Sequence, residues 1–277
     1  MISVITPVYN GERFIEACIQ VVIDQQCPDV EHIIVDGGSN DQTVDIIKRY
    51  AEQYSHIRWL SEKDQGQSDA MNKGIAMAKG DILNILNVDD DYEAGALNRI
   101  TEIFKALPEP SFLVGNCNVW DGDGNLLFVN QPRNLKLSDL LLGWNVNPIP
   151  ANPSAYFYHT SLHNKVGLYN VDEHCLMDLQ FILEVVQVAN VKYIDQIWGN
   201  FRLHQNTKTF QSLQTMEVIH RVRQMLRRYR KNLPLYERLY VSARYEFDIT
   251  KQQLRYIFKS PQNLPKLMKN KLEKAFS

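Results

Sequence analysis

The sequence predicts an α/β protein: a mixed, mostly parallel sheet flanked by helices, with a helical extension at the C-terminal end. Three observations predict it. Short β-branched runs alternate with apolar positions at helical spacing between Ile2 and Leu86. The turns that follow those runs carry acids or glycine every time. Beyond Gln214 the apolar residues recur at helical spacing among many bases.

Taken in order, Ile2 to Thr6 reads as the first strand and His32 to Val35 as the second. Val44, Ile47, Ala51 and Tyr54 then mark a helix, and Ser39 with Gln42 forms a capping-box signal ahead of it. Ile57 to Leu60 is the third strand, Met71, Ile75 and Ala78 the next helix, and Ile82 to Leu86 the fourth strand. After Leu107-Pro108-Glu109-Pro110 the pattern changes to short strands and hairpins, at Phe112 to Val114, Asn118 to Trp120 and Leu126 to Val129. The turn Asp121-Gly122-Asp123-Gly124-Asn125 is hairpin chemistry; as a calcium loop it would need Glu where Pro132 stands. From Gln214 onward the chain reads as helices punctuated by Pro234, Pro261 and Pro265. The resulting division is 1–214, with halves 1–110 and 111–214, followed by an extension over 215–277.

At 277 residues the chain can bury a full α/β core. Its four cysteines, Cys18, Cys27, Cys117 and Cys175, form no Cys-x-x-Cys pair, which argues against a zinc site or a disulfide framework and for reduced thiols in a cytoplasm. Met1 runs directly into Ile2-Ser3-Val4-Ile5 without a leader pattern, and no apolar run is long enough to span a bilayer. The net charge of −2 hides an asymmetry, because 215–277 holds 15 bases against 5 acids and the rest 15 against 27.

A parallel α/β sheet binds ligands at the carboxyl ends of its strands. Those ends read Pro7-Val8-Tyr9-Asn10-Gly11-Glu12, Asp36-Gly37-Gly38-Ser39-Asn40-Asp41, Glu62-Lys63-Asp64-Gln65-Gly66 and Asn87-Val88-Asp89-Asp90-Asp91. Neither G-x-G-x-x-G nor a P-loop is present, so a dinucleotide oxidoreductase and a P-loop enzyme lose their main support. The carboxylates after strand four offer hard oxygen ligands for a divalent cation that could bridge a diphosphate; a charged turn capping the next helix is the other reading.

These segments resemble the family 2 glycosyltransferases of the GT-A fold, a Rossmann-like nucleotide-diphospho-sugar transferase fold. The likeness runs through Ser3 to Asn10, Ile34 to Thr43, Asp64 to Gly74 and Gly80 to Asp90, and covers roughly three-quarters of the chain. It implies a sugar transferase that takes a nucleotide-diphosphate sugar, with a UDP-sugar favoured. The acceptor would be a hydroxyl of a saccharide or lipid-linked saccharide, as in cell-surface polysaccharide synthesis. It further implies that 1–214 is the catalytic domain, 1–110 its donor half and 111–214 its acceptor half. Pro7, Tyr9, Asn10, Glu12 and Asp36 would hold the nucleoside, Asp36 by accepting a hydrogen bond from the base. Asp64, Gly66 and Lys73 would line the donor pocket. Asp89 and Asp90 would meet Mn2+ or Mg2+ and the donor, and spacing does not separate the two. Asn87 stands where the family often has Asp.

In Met177-Asp178-Leu179-Gln180-Phe181 the resemblance makes Asp178 the general base of an inverting displacement, with Gln180 replacing a second acid; the residues alone equally allow an Asp at a helix N-terminus. His204, in Phe201 to Lys208, would reach metal or diphosphate, or else be structural, and Lys208 would be a weaker phosphate contact. Trp144, Asn147, Pro148, Asn152 and Pro153 fall on the acceptor side. The reading requires Asp36, Asp89 and Asp90 to converge on one crevice.

In the extension, Ile219, Val222, Leu226 and Tyr229 form a stripe while Arg221, Arg223, Arg227, Arg228, Arg230 and Lys231 crowd the other faces. The stripe could lie on anionic lipid at the inner face of the membrane, pack back on the catalytic domain, or join a homodimer. No nucleic-acid motif accompanies the charge. Two other classes stay open: a nucleotidyltransferase, which would leave Asp178 and His204 without a role, and a non-catalytic nucleotide-sugar-binding subunit, suggested by Asn87 and Gln180.

Overall fold

Strand and helix alternate through the first half as the periodicity dictates: β1 (Ile2–Val8), α1 (Ile15–Asp24), β2 (Val30–Asp36), α2 (Thr43–Gln53), β3 (Ile57–Ser61), α3 (Gln67–Met77) and β4 (Ile82–Ile85). A two-residue β5 (Asp91–Tyr92) and α4 (Ala96–Phe104) follow. The second half holds β6 (Ser111–Asp121), β7 (Leu126–Asn130), α5 (Leu137–Leu140), β8 (Tyr156–His159), α6 (His163–Val166), α7 (Met177–Val185) and β9 (Asn190–Leu203). It ends in α8 (Lys208–Gln214), α9 (Met216–Arg230) and α10 (Leu235–Lys259). This computed structural model describes residues 1–259 except 145, 206 and 215, so the punctuation expected at Pro261 and Pro265 lies outside the described residues.

The nine strands form one sheet in the order β3-β2-β1-β4-β8-β6-β9-β5, with β7 paired to β6. β3, β2, β1 and β4 are mutually parallel, and the chain leaves β1 toward β2 on one side and returns to β4 on the other. That reversal, between the loops after β1 and β4, is where a parallel α/β sheet places its ligand crevice. β8 then runs antiparallel to both β4 and β6, which makes the sheet mixed.

Three expectations change. Phe112 to Val114 and Asn118 to Trp120 are parts of one strand, β6, interrupted by a register shift against β9 around Asn116. The pattern broke at Gly115, where the Trp198 ring lies so close that no Cβ fits. Helix α1 also lies where the sequence reading expects no element: its run is rich in β-branched residues, yet Ile15, Cys18, Ile19 and Val22 line one buried face. Ser39 does not cap α2: the start of that helix is held by Asp41, whose Oδ1 accepts the Thr43 N–H at 3.0 Å.

The stripe of α9 packs inward. Met225, Leu226 and Tyr229 are buried in the same apolar cluster as Met177, Phe181 and Ile182 of α7, with Val222 packed against it. Each fully buried side chain of this size contributes about 1.5–3 kcal/mol, enough to hold the helix on the domain. Among the described residues no helix is long and apolar enough to cross a membrane.

Candidate active site

Parallel pairing sets Val8 opposite Asp36, so the loops after β1 and β2 leave the sheet side by side. They are stitched together. The Asn10 N–H donates to Ser39 Oγ (2.7 Å) and the Asn40 N–H to Asn10 Oδ1 (2.9 Å). The Glu12 N–H donates to Asp41 Oδ2 (3.2 Å), and the Gln42 N–H returns to Glu12 Oε2 (3.1 Å). Pro7 is buried within β1, while the Tyr9 ring is exposed at the mouth of the loop.

Asp36 is buried, and its carboxylate is taken up by its own surroundings. Oδ2 accepts the N–H groups of Gly38 (3.0 Å) and Ser39 (3.1 Å) and the Ser61 hydroxyl (2.7 Å), and Oδ1 accepts the Ser39 hydroxyl. As it stands, Asp36 shapes the loop, and Oδ1, which accepts from the Ser39 hydroxyl, is the oxygen with acceptor capacity left for a base. Asp36 ends β2 and the Asp89–Asp90 pair follows β4, so all three leave the same edge of the parallel sheet, each engaged by different partners.

Asp64 lies against the Cα of Gly37 and accepts the Gly66 N–H at 2.8 Å. Gly66 has φ +119°, a conformation that favours glycine, and it starts α3 beside the His174 ring. Lys73 is drawn elsewhere: its ammonium contacts Glu62 (2.9 Å), Asp69 (3.3 Å) and the Lys63 carbonyl (3.2 Å). A phosphate role for Lys73 would compete with these two acids.

The acid loop is assembled by long-range pairing. Antiparallel contact of β5 with β9 sets Asp91 opposite Asn200, which carries Arg202 and His204 to the loop after β4. The three aspartates then diverge in role. Asp91 is bound by the Arg202 guanidinium at 2.7 Å. Asp90 is buried; Asn87 Nδ2 (2.8 Å) and Asn152 Nδ2 (2.7 Å) donate to its Oδ2, and the Arg202 N–H (3.2 Å) to its Oδ1. Burial, then the Asp89 charge, push its carboxyl well above the usual range against those hydrogen bonds. Asp89 keeps some exposure, and its Oδ2 lies 3.1 Å from His204 Nε2. Burial raises its pKa too, opposed by its backbone contact and by His204. Phe14 stacks on the His204 ring at 5.3 Å between centroids, fixing its plane.

Asp178 sits in the first turn of α7, half-buried, and accepts the Tyr156 hydroxyl at 3.3 Å. Burial pushes its carboxyl up to about 6, with the Tyr156 hydrogen bond and the Lys208 charge opposing. The same Lys208 donates to Gln67 Oε1 (3.1 Å), Gln67 Nε2 to Asn87 Oδ1 (2.9 Å), and Asn87 to Asp90. A continuous polar chain thus runs from Lys208, whose charge acts on Asp178, to the acid loop. Asn87 both accepts and donates in it, which an ionised Asp could not. Gln180, the other departure from the family pattern, pairs with Glu184 within α7 at 3.0 Å.

Sequence reasoning missed Gln67, Tyr156 and Glu173, and gave Asn152 no role. Gln67 lies inside a quoted motif, but its two-sided bridge depends on where α8 falls. Glu173 anchors the segment before α7: its carboxylate accepts the N–H groups of Cys175 (3.0 Å) and Leu176 (2.9 Å) and the Arg221 guanidinium of α9 (2.6 Å). Ser68 of α3 donates to its carbonyl at 3.1 Å. On the expected acceptor side, Trp144 is exposed and Asn147 is buried, donating to the Asn134 carbonyl at 2.8 Å.

Among the described residues no three His, Cys, Asp or Glu side chains cluster as a complete metal cage. The donors at Asp89 and His204 do fit part of one. Two ligands about 2.1 Å from one ion and at right angles to each other are about 3 Å apart, the spacing found here, and diphosphate oxygens and water commonly complete such a shell.

Residues 3–155 match the family described as Glycosyl transferase family 2. A PGL/p-HBAD biosynthesis glycosyltransferase of Mycobacterium bovis is 34% identical over 185 residues, 65% of this chain and 68% of the relative. The fold is similar to that of S. aureus TarS 1-349, solved in complex with UDP-GlcNAc: TM-score 0.66, 17% identity, 88% of this chain and 71% of the other. It also resembles a mannosyltransferase from Pyrobaculum calidifontis in complex with GDP-Man and Mn2+, with TM-score 0.54 and 17% identity over 76% of this chain and 59% of that one. Sequence motifs, sheet topology and these matches agree: the chain is a glycosyltransferase of the GT-A fold and belongs to glycosyl transferase family 2.

Proposed function

We propose that this glycosyltransferase moves a sugar from a nucleotide-diphosphate sugar to an acceptor hydroxyl by direct displacement, inverting the anomeric carbon. The observation that carries the reading is the polar chain that runs from Lys208, whose charge acts on Asp178, through Gln67 and Asn87 to Asp90, the sequence neighbour of Asp89. Asp178 acts as general base, taking the acceptor proton as its oxygen attacks. A carboxyl raised to about 6 is still ionised at neutral pH and is a stronger base than an ordinary aspartate.

Asp89 and His204 would hold a divalent cation, which when bound neutralises charge on the leaving diphosphate. The knitted loops Pro7 to Glu12 and Asp36 to Asp41 would cradle the nucleoside, with the exposed Tyr9 ring against the base and Asp36 setting the loop's shape. Asp64 and Gly66 would border the sugar-diphosphate. Lys208, within reach of Gln67, is a better placed phosphate contact than Lys73. A UDP-sugar is the favoured donor, in keeping with the UDP-GlcNAc held by the TarS neighbour, and a saccharide the favoured acceptor.

The test is incubation with a panel of nucleotide sugars and Mn2+. Release of nucleoside diphosphate, lost in Asp178→Asn while donor binding persists, supports the reading. Release of pyrophosphate, or full turnover by the variant, overturns it.

A further inference from the structure

Helix α10 is apolar on two faces. Its inner face docks: Val241 is buried in the main apolar cluster, and the Tyr245 ring lies under the Arg230 guanidinium at 3.8 Å. Its outer face leaves Leu235, Tyr236, Leu239, Tyr240 and, two turns further on, Phe247 exposed, each about 60% or more accessible. Single exposed apolar residues are ordinary, but a row along one helix marks a contact surface.

Beside that row, α9 and α10 enclose a groove of about 290 Å³, lined by Arg227, Arg230, Lys231 and Arg238 with Leu239 and Ser242; Glu246 is its one acid. Arg227, Lys231 and Arg238 are exposed, and among the described residues none of them forms a salt bridge. Arg230 is buried at the base of the groove. One of its terminal nitrogens donates to the Leu141 carbonyl at 3.0 Å, but its Nε has no partner. Three exposed bases set around a single acid suit a phosphoryl group.

We infer that the outer face of α10 and the adjoining basic groove form a docking surface for an anionic phospholipid membrane, with lipid phosphate at the groove and the tyrosines and Phe247 at the headgroup boundary. Tyrosine prefers that boundary, and basic residues at its edge add attraction to anionic lipid. A symmetric homodimer through the same face would bring two basic surfaces together, whereas anionic lipid meets them with opposite charge, so charge favours lipid over a second copy. The surface is separate from the residues assigned to catalysis.

The test is co-sedimentation of the full chain with phosphatidylcholine vesicles, with and without phosphatidylglycerol, in the absence of donor. Binding is expected only with the anionic lipid. The triple variant Arg227→Gln, Lys231→Gln, Arg238→Gln should weaken it about a hundredfold, at roughly a factor of five for each base removed. Tyr240→Ser with Phe247→Ser should weaken it independently. All five positions are exposed, so unchanged circular dichroism and donor binding are expected and would separate loss of docking from loss of fold or active site. Two results would overturn the inference: equal or no binding to both vesicles, or a dimer in sedimentation velocity that the Tyr240 and Phe247 changes dissolve.

Discussion

His204 Nε2 stands 3.1 Å from Asp89 Oδ2, joining residues 115 positions apart at the end of the β5–β9 pairing. If these two atoms share a divalent ion, His204→Ala and Asp89→Asn should each weaken metal-dependent donor binding by about a hundredfold or more, since even indirect supports of a metal site cost 10–100-fold. Titrating Mn2+ against bound nucleotide by calorimetry measures this. Chelation should abolish turnover of the unmodified chain, and unchanged Mn2+ dependence in His204→Ala would remove the histidine from the site.

Asp178 carries opposed demands of stability and activity. Burial raises its carboxyl from 3.8 to about 6, so its ionised form is disfavoured in the folded protein. The unfolded chain gives up this proton at lower pH, so stability falls as pH rises from about 4 to about 6, by up to about 3 kcal/mol at about 1.4 kcal/mol per unit. Asp178→Asn should remove that fall, abolishing transfer while raising the melting temperature at pH 7. Tyr156→Phe removes a hydrogen bond that favours the carboxylate. The acid limb of kcat/KM should then move to higher pH, and an unmoved limb would deny Tyr156 this positioning role.

Asn87→Asp restores the common family pattern but should be harmful here. The change removes the amide that donates to buried Asp90 and adds a carboxylate beside it. Loss of a hydrogen bond to a buried group costs about 1–3 kcal/mol, and the penalty should grow with pH as the new acid ionises. Thermal unfolding at pH 5 and pH 8 checks both the loss and its direction.

Glu173 joins α9 to the start of α7. Burial raises its carboxyl, but the Cys175 and Leu176 N–H groups and Arg221 bring it below the usual glutamate value. Its stabilising contribution is therefore complete above the ordinary glutamate pKa and fades as pH falls through the lowered one. Glu173→Ala should cost about 1–2 kcal/mol, as loss of a helix cap does, and lower kcat more than donor affinity, because α7 carries Asp178. Arg221→Ala should cost less, about 1 kcal/mol or under, as a part-exposed pair does. Equal loss of donor affinity and kcat in Glu173→Ala would count against selective positioning of α7.

What the sequence determined by itself was local and periodic. The β1 to β4 alternation, the acid and glycine loops at the strand ends, and the family all follow from side-chain spacing and short contiguous motifs. The tertiary structure decided how each polar group is used, because that depends on partners far along the chain. Asp36, Asp89 and Asp90 read alike as acids after strands, yet Ser61 helps to occupy the first, Asn152 and the Arg202 backbone occupy the third, and Asp89 is left facing His204. The α9 stripe likewise fitted either water's edge or a core, and burial of Leu226 and Tyr229 chose the core while leaving α10's outer face open. A helical pattern records that a face is apolar; only packing settles what covers it.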